Sequence, residues 1–217
     1  PEPPASDEPA RVAEAVERMG LSYAVLTMVA RDDLADGGFA HVAECVRVIR
    51  ERNPHTKVET LVSDAKGEAS SIDLLVAARP DVFNHNIETV ARLQRAVRPS
   101  AGYARSLGLL SRAKSAGLVV KSGLVLGMGE TVEEVDGCLA DLAGIGVDIV
   151  TIGQYLRPTS HHLPVARWIH PDEFARWKYL GESLGIGHVE SSPLTRSSYH
   201  AKQAAETTVP VSLTVKR

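Results

Sequence analysis

The sequence predicts an α/β protein in which helices alternate with the strands of one parallel sheet. Short apolar segments rich in β-branched residues alternate with longer segments whose apolar residues recur at helical spacing. Glycine or proline lies between several neighbouring segments and marks the turns. Such βα units are typical of parallel sheets and barrels, and a chain of 217 residues can bury a core of its own.

The first predicted element is a helix over residues 7–19. Asp7 can act as its N-cap, Pro9 lies in the first turn where proline is tolerated, and Gly20 ends the helix. Because the chain begins on a helix, counting βα units backwards places a further strand and its loop before Pro1. We therefore expect a partial barrel that lacks its first strand.

The remaining elements follow from the same two signals. Apolar, β-prone segments predict strands at residues 21–29, 57–63, 81–84, 118–127, 147–153 and 187–191. Helical spacing, as in Phe39, Val42, Val46 and Ile49, predicts the helices between them. They occupy residues 39–52, 69–78, 88–97, 103–116, 131–143 and 171–184. We expect residues 1–201 to form one domain and residues 202–217, which lose the repeat, to form a peripheral or disordered tail.

Composition excludes several classes of function. The net charge is −3, which gives no general attraction to nucleic acid or to an anionic membrane. No apolar run is long enough to cross a membrane and no signal peptide is visible, so we expect a cytoplasmic protein. The two cysteines, Cys45 and Cys138, are too far apart for a CxxC redox pair or a closely spaced zinc site.

Candidate functional residues follow the predicted strands, where a parallel barrel places its binding loops. After the first strand, RDDLADGG contains Arg31, Asp32 and Asp33, which could form a Mg²⁺ site or an Arg–Asp network within the loop. The segment GLVLGMGET lacks the spacing of a phosphate-binding loop, although its glycines would let a ligand approach the backbone. Any single polar residue in these loops could equally be a helix cap.

Five segments taken together resemble the lipoyl synthase family of the radical S-adenosylmethionine superfamily. They are RDDLADGG, FNHNIETVARLQRAVRP, KSGLVLGMGET, TIGQYLRPTSHHLPV and RSSYHA, in this order. The resemblance covers about Asp7 to Ala201, and the RSSY element is particularly characteristic. It implies a partial (β/α)6 TIM-like barrel that inserts two sulfur atoms, at C6 and C8, into an octanoyl chain on a lysine of a carrier protein.

The resemblance also implies cofactors and partners. These are two 4Fe-4S clusters, S-adenosylmethionine, an electron donor, and an octanoylated carrier, either the glycine cleavage H protein or a lipoyl domain. Ser198 matches a serine ligand of the auxiliary cluster, with Arg196 and Tyr199 in its surroundings. Candidate contacts of S-adenosylmethionine are Asn84, Asn86, Glu88, Lys121, Gly127 and Glu130. Arg31, Asp32 and Asp33 match the family's RDD loop, without an assigned role, and no catalytic residue is assigned.

The chain departs from the family in its cysteines. The family pattern needs a CxxxCxxC loop for one cluster and a CxxxxCxxxxxC motif for the other, and this sequence contains neither. One hypothesis is a lipoyl synthase whose N-terminal part lies upstream of Pro1. A second is a non-catalytic barrel that binds a carrier protein or ligand without clusters. A metal-dependent barrel hydrolase is a third and more remote hypothesis.

Overall fold

The computed structural model describes residues 2–208 and confirms the predicted α/β fold. Six parallel strands form one sheet in sequential order, β1 (Tyr23–Thr27), β2 (Lys57–Leu61), β3 (Val82–Asn84), β4 (Val119–Leu126), β5 (Ile149–Gln154) and β6 (His188–Ser191). Among the described residues β1 and β6 are not paired, so the sheet is an open, partial barrel. The expected strand before Pro1 stays a prediction.

Within residues 2–208 there are eight α-helices, one before β1 and the others after the strands. They are α1 (Glu8–Arg18), α2 (Phe39–Arg52), α3 (Ala69–Ala78), α4 (Gln94–Val97), α5 (Tyr103–Ser115), α6 (Val132–Gly144), α7 (Pro171–Ser183) and α8 (Ala201–Thr208). Thr131 caps α6 in a capping box with Glu134, which satisfies backbone N–H groups at the helix start. No helix in residues 2–208 is both long and apolar enough to span a membrane.

One continuous apolar core joins the helices to the sheet. Ile49 of α2, Leu110 of α5 and Leu139 of α6 are fully buried against strand residues such as Val58 and Val150. These apolar positions recur at helical spacing on the helices and fill the strands, which is why the sequence pattern located them. The core fixes the strands, and the strands then fix the loops at their carboxyl ends.

The predicted helix over residues 88–97 is largely wrong. Glu88 forms an isolated parallel bridge with Leu124 of β4, a 3₁₀ turn covers Ala91–Leu93, and only the single turn of α4 is α-helical. The reason is that β3 ends at Asn84 whereas β4 continues to Leu126, which leaves β4 backbone groups without a strand partner. The Glu88 N–H donates to the Gly123 carbonyl at 2.9 Å, and the Val125 N–H donates to the Glu88 carbonyl at 2.9 Å.

The predicted peripheral or disordered tail, residues 202–217, is helical as far as Thr208. Residues 201–208 form α8, and the predicted boundary at residue 201 falls within this helix. Ala201, Ala204 and Ala205 are buried, because their spacing gives the helix a small apolar face against β5 and β6. Lys202 donates to the Ser22 hydroxyl at 3.0 Å, so α8 connects the two edges of the sheet. Residues 209–217 lie outside the described part of the chain.

Candidate functional site

Two adjacent cavities lie at the carboxyl ends of the strands, and Asn86 and Glu88 line both of them. The first has a volume of about 210 Å³ and is bounded by β4, β5 and the loop after β6. The second has a volume of about 310 Å³ and is bounded by the ends of β1, β2 and β3, with Arg98 at its wall. This position agrees with the general rule that parallel barrels bind ligands at the carboxyl ends of their strands.

Glu88 is the acidic group of these cavities. Its φ of +66° is rare for a residue with a side chain, and the backbone bonds to β4 hold it in that conformation. Burial raises the pKa of the Glu88 carboxyl, while the nearby Asn86 amide and Arg98 guanidinium act in the opposite direction. A strained backbone and a desolvated carboxylate in a cavity wall together indicate a binding residue.

Asn86 presents a buried acceptor that has no partner among the described residues. Its Nδ2 donates to the Ser197 hydroxyl at 2.7 Å, but its Oδ1 accepts no hydrogen bond. Gly123 faces this amide, and a Cβ there would be 2.7 Å from Asn86 Oδ1 and 2.7 Å from Thr151 Oγ1. Glycine is therefore required beside the amide, and the unused acceptor is available to a ligand that carries hydrogen-bond donors.

A buried ion pair lies beneath the cavities, two residues earlier along β4 than Gly123. Lys121 Nζ is 2.9 Å from Glu59 Oε1, and both side chains are fully buried. Asn84 Nδ2 donates to the same oxygen at 2.7 Å, and the Tyr23 hydroxyl donates to Glu59 Oε2 at 2.8 Å. Burial beside the carboxylate raises the Tyr23 pKa. The structure thus places two of the predicted ligand contacts, Asn84 and Lys121, in a charge-paired interior cluster.

The loop after β6 closes over this interior. Lys121 Nζ also donates to the Ser197 carbonyl at 2.5 Å, so the lysine joins the ion pair to the loop. A Cβ at Gly153 would overlap the Thr195 carbonyl, which shows how closely the loop approaches β5. Ser198 and Arg196 are exposed at its surface, and Tyr199 stacks on His200 with ring centroids 3.9 Å apart. Ser197 therefore anchors the loop and Ser198 is left free at its surface.

Two other predicted ligand contacts, Gly127 and Glu130, organise the turn after β4. The buried Glu130 carboxylate accepts hydrogen bonds from the backbone N–H groups of Gly127 and Met128, the latter at 3.0 Å. Gly127 has a φ of +112°, and its carbonyl accepts from the Ala166 N–H at 2.8 Å. Neither residue lines the two cavities. The structure brings only Asn86 and Glu88 of the six candidates together at the cavity wall.

The RDD loop forms a network within itself. Arg31 pairs with Asp33 at 2.7 Å and donates to the Glu2 carbonyl at 2.9 Å, and Lys66 donates to the Asp32 carbonyl at 2.6 Å. The guanidinium lowers the Asp33 pKa to about 2. Of the two alternatives for this loop, the geometry matches the Arg–Asp network, and none of the three predicted residues lines the two cavities.

Several residues of the site were not among the predicted candidates. They are Tyr23, Glu59, Arg98, Thr151 and Ser197. Glu59 gave one usable signal, since a glutamate inside the apolar run KVETLVS is unusual for a strand in a parallel sheet. Ser197 lies within the RSSY element, but its contact with Asn86, like that of Arg98, depends on the fold and not on a local pattern.

Comparison with known proteins identifies the family. The radical SAM superfamily matches residues 2–142. A lipoyl synthase of Rubrobacter xylanophilus is 54% identical over 202 residues, covering 92% of this chain and 63% of the relative. A lipoyl synthase of Chlorobaculum tepidum is 52% identical over 203 residues, covering 93% of this chain and 70% of the relative. The chain belongs to the lipoyl synthase family. It spans 63% to 70% of the length of these two curated relatives.

Solved structures support the fold of this lipoyl synthase family member. HydG, a maturase of the FeFe hydrogenase, matches with a TM-score of 0.67 at 15% identity, covering 95% of this chain and 48% of HydG. Streptococcus suis SuiB bound to S-adenosylmethionine matches with a TM-score of 0.65 at 11% identity, covering 92% of this chain and 45% of SuiB. At these identities the likeness concerns the partial barrel alone.

The residues present do not fit a 4Fe-4S cluster. Cys45 on α2 and Cys138 on α6 are both buried in the helical layer, and burial raises their thiol pKa values to about 11 and about 12. A cluster needs several thiolates at one point, and within residues 2–208 no three His, Cys, Asp or Glu side chains are grouped to hold a metal.

The cavities do fit a polar, cationic ligand such as S-adenosylmethionine. Asn86 Oδ1 offers an unused acceptor, and the Glu88 carboxylate offers a desolvated negative charge. Gly123 and Gly153 keep the cavity wall free of side chains on β4 and β5. A cation near Glu88 would gain more from it than from a solvated carboxylate, because the local dielectric is low.

Proposed function

We propose that this chain carries the S-adenosylmethionine-binding part of a lipoyl synthase. The reaction is the insertion of sulfur at C6 and C8 of an octanoyl chain attached to a lysine of a carrier protein. The observation that supports this most strongly is the 54% identity to a named lipoyl synthase over 92% of the chain. The named relatives do not favour the alternative of a non-catalytic barrel.

Within this proposal, Asn86 and Glu88 hold S-adenosylmethionine through its donors and positive charge. When bound, S-adenosylmethionine supplies the radical that removes hydrogen from the substrate chain. Asn86 is fixed by its bond to Ser197, so the loop after β6 orients the ligand contact. Each buried CH₂ of the octanoyl chain contributes about 0.8 kcal/mol, so apolar wall residues such as Leu61 and Val62 would bind the acyl chain.

The proposed cofactors and partners follow from the family. They are S-adenosylmethionine, two 4Fe-4S clusters whose thiolates this sequence does not supply, an electron donor, and an octanoylated carrier protein. We retain Ser198 as a proposed ligand of the auxiliary cluster, and its exposure beside Arg196 is compatible with that role. Residues in the interior cluster and in the RDD loop would stabilise the barrel and would not contact substrate.

A chimera tests the proposed function. The N-terminal segment of the Chlorobaculum tepidum relative, which this chain does not cover, is fused to residues 2–217 and reconstituted without oxygen with iron, sulfide and a reductant. We expect 5′-deoxyadenosine and an octanoyl-lysine peptide that has gained two sulfur atoms, both measured by mass spectrometry. The chain without that segment should yield neither product.

Variants of the chimera test the role of Ser198. Ser198→Ala should lower sulfur insertion more than 5′-deoxyadenosine formation, whereas Ser183→Ala on the outer surface should lower neither. A chimera that folds, carries clusters by absorbance and still forms no 5′-deoxyadenosine would contradict the proposed function. Equal losses of both products in Ser198→Ala would contradict only the ligand role.

A further inference from the structure

The loops after β5 and β6 expose large apolar side chains beside one another. Trp168 is 69% exposed, Leu194 is 78% exposed and Leu156 is 50% exposed. Gln154, at the end of β5, brings their segments together. Its backbone N–H donates to the Pro193 carbonyl at 3.2 Å, and its side chain contacts the Arg167 carbonyl and accepts from the Ile169 N–H at 2.9 Å. Exposed apolar groups that cluster in this way indicate an interaction surface.

The same two loops contain no acidic residue. Neither residues 154–170 nor residues 192–200 include an aspartate or glutamate, although the chain has 27 of them. The loops do contain Arg157 and Arg196, both exposed. Arg157 donates to the Ser160 and His162 carbonyls and Arg196 to the Thr195 carbonyl, so neither charge is neutralised by these contacts.

Unpaired arginines are concentrated at this end of the barrel. Most arginines in residues 2–208 form ion pairs, for example Arg112 with Asp73 and Arg176 with Asp136. Those with no carboxylate within 4.0 Å in the described chain are Arg79, Arg95, Arg98, Arg157 and Arg196. Arg98 lines a cavity beside Glu88, whereas Arg157 and Arg196 lie in the loops after β5 and β6. The positive charge with no acidic residue in its own loop therefore lies on Arg157 and Arg196.

We propose that Leu156, Arg157, Trp168, Leu194 and Arg196, together called the rim surface, form a docking site for an acidic folded protein domain. Tryptophan and arginine are the residue types that contribute most to protein–protein affinity, and the uncompensated charge selects a partner rich in carboxylates. The inference rests on the proposed function, in which this partner is the octanoylated carrier. The rim surface lies beside the cavities, so a docked carrier could direct its acyl-lysine arm into them.

Binding of the octanoylated glycine cleavage H protein to the full chain tests the rim surface directly. We expect Arg157→Glu with Arg196→Glu, and separately Trp168→Ser, to weaken binding by about tenfold or more, measured by calorimetry at low salt. Added salt should weaken wild-type binding more than binding of the charge-reversed variant. Matched controls are Arg79→Glu, an unpaired arginine before β3, and Tyr179→Ser on the outer face of α7, which should bind as wild type.

Turnover by the chimera distinguishes a failure of the docking site from a failure of the proposed function. The rim variants Arg157→Glu and Trp168→Ser should lower kcat/KM for the octanoylated H protein and leave kcat/KM for a short octanoyl-lysine peptide unchanged. Equal effects on both substrates, or equal effects of rim and control variants on H protein binding, would overturn the docking site while leaving lipoyl synthase activity intact. Equally tight binding of single-stranded DNA or anionic vesicles would also overturn it. Absence of turnover on either substrate by the wild-type chimera would count against the proposed function. The binding of H protein to rim and control variants would then still test the docking site.

Discussion

Two polar clusters lie on the sheet, an interior one with residues from β1 to β4 and a cavity one beyond the end of β3 and on β4 and β5. In the interior cluster, Lys121 and Glu59 are paired and further bound by Tyr23 and Asn84. In the cavity cluster, two residues further along, Asn86 retains an unused acceptor opposite Gly123. The interior Asn84 Oδ1 also has no partner among the described residues, so the clusters differ in their carboxylates: Glu59 is paired with a lysine, whereas Glu88 forms no ion pair within 4.0 Å in the described chain.

This difference indicates separate roles for the two clusters. A carboxylate that is paired with a lysine inside the protein holds the barrel together, whereas a desolvated carboxylate that lines a cavity without such a partner is available to a ligand. Residue type alone does not distinguish the two, since both clusters contain an asparagine and a glutamate. Substitutions in the interior should therefore change stability, and substitutions in the cavity should change ligand affinity.

The largest expected effect is loss of the interior ion pair. Glu59→Ala leaves the Lys121 charge buried without a partner and should lower the free energy of unfolding by about 3–5 kcal/mol, measured by urea denaturation. Asp73→Ala removes one partner of an exposed pair with Arg112 and should cost no more than about 1 kcal/mol. Equal losses in the two variants would refute the structural role of the interior pair.

The next effect concerns the glycine that separates the clusters. Gly123→Ala places a Cβ against Asn86 and Thr151 and should cost about 1–3 kcal/mol of unfolding free energy. Gly137→Ala on α6 meets no atom within 4 Å and should instead stabilise the protein by about 0.5–1 kcal/mol. A Gly123→Ala variant as stable as wild type would show that the cavity wall is not as tightly packed as described.

Substitution of the cavity carboxylate should weaken ligand binding without lowering stability. Glu88→Gln removes a charged hydrogen-bond acceptor and should weaken binding of S-adenosylmethionine by about tenfold, measured by calorimetry. Glu133→Gln, an exposed glutamate on α6, is the control and should bind as wild type. If Glu88→Gln binds normally, the ligand does not contact this carboxylate.

The smallest expected effect is the pH dependence that Glu88 causes. Its pKa is raised in the folded protein, so the unfolded chain releases this proton at lower pH than the folded chain. Glu88 therefore lowers the stability of the fold as pH rises above the ordinary pKa range of a glutamic acid. This loss of stability is complete above the raised pKa. Glu88→Gln should lack that part of the fall in stability, measured by thermal unfolding across pH. Identical pH profiles for the two proteins would contradict the raised pKa.

Much of the fold could be predicted from the sequence because local pattern determines it. The apolar spacing of Phe39, Val42, Val46 and Ile49 located α2, and the apolar runs located all six strands. The helix predicted from Glu88 was wrong because backbone bonds to a longer neighbouring strand overrode local preference. Helix α8 was missed because its apolar face consists only of alanines, which give a weak periodic signal.

The site could be predicted only in part. The family motifs located Asn86 and Glu88, which line the cavities. The same motifs also gave Gly127 and Glu130, where the Glu130 carboxylate accepts a hydrogen bond from the Gly127 N–H away from the cavities. The bond from Asn86 to Ser197 joins residues 111 positions apart, and no local pattern encodes it. Whether a polar side chain is satisfied depends on such distant contacts, so sequence alone could not separate binding groups from structural ones.

The most direct test of the central claim is an NMR titration of the chain with S-adenosylmethionine. The claim is that the cavities shared by Asn86 and Glu88 bind the ligand. We expect the amide signals of Asn86, Glu88, Gly123 and Thr151 to shift with increasing ligand. A third cavity of about 300 Å³, lined by His41 and Cys45 along β1, provides an internal comparison. Shifts confined to His41 and Cys45, with Asn86 and Glu88 unchanged, would contradict the account.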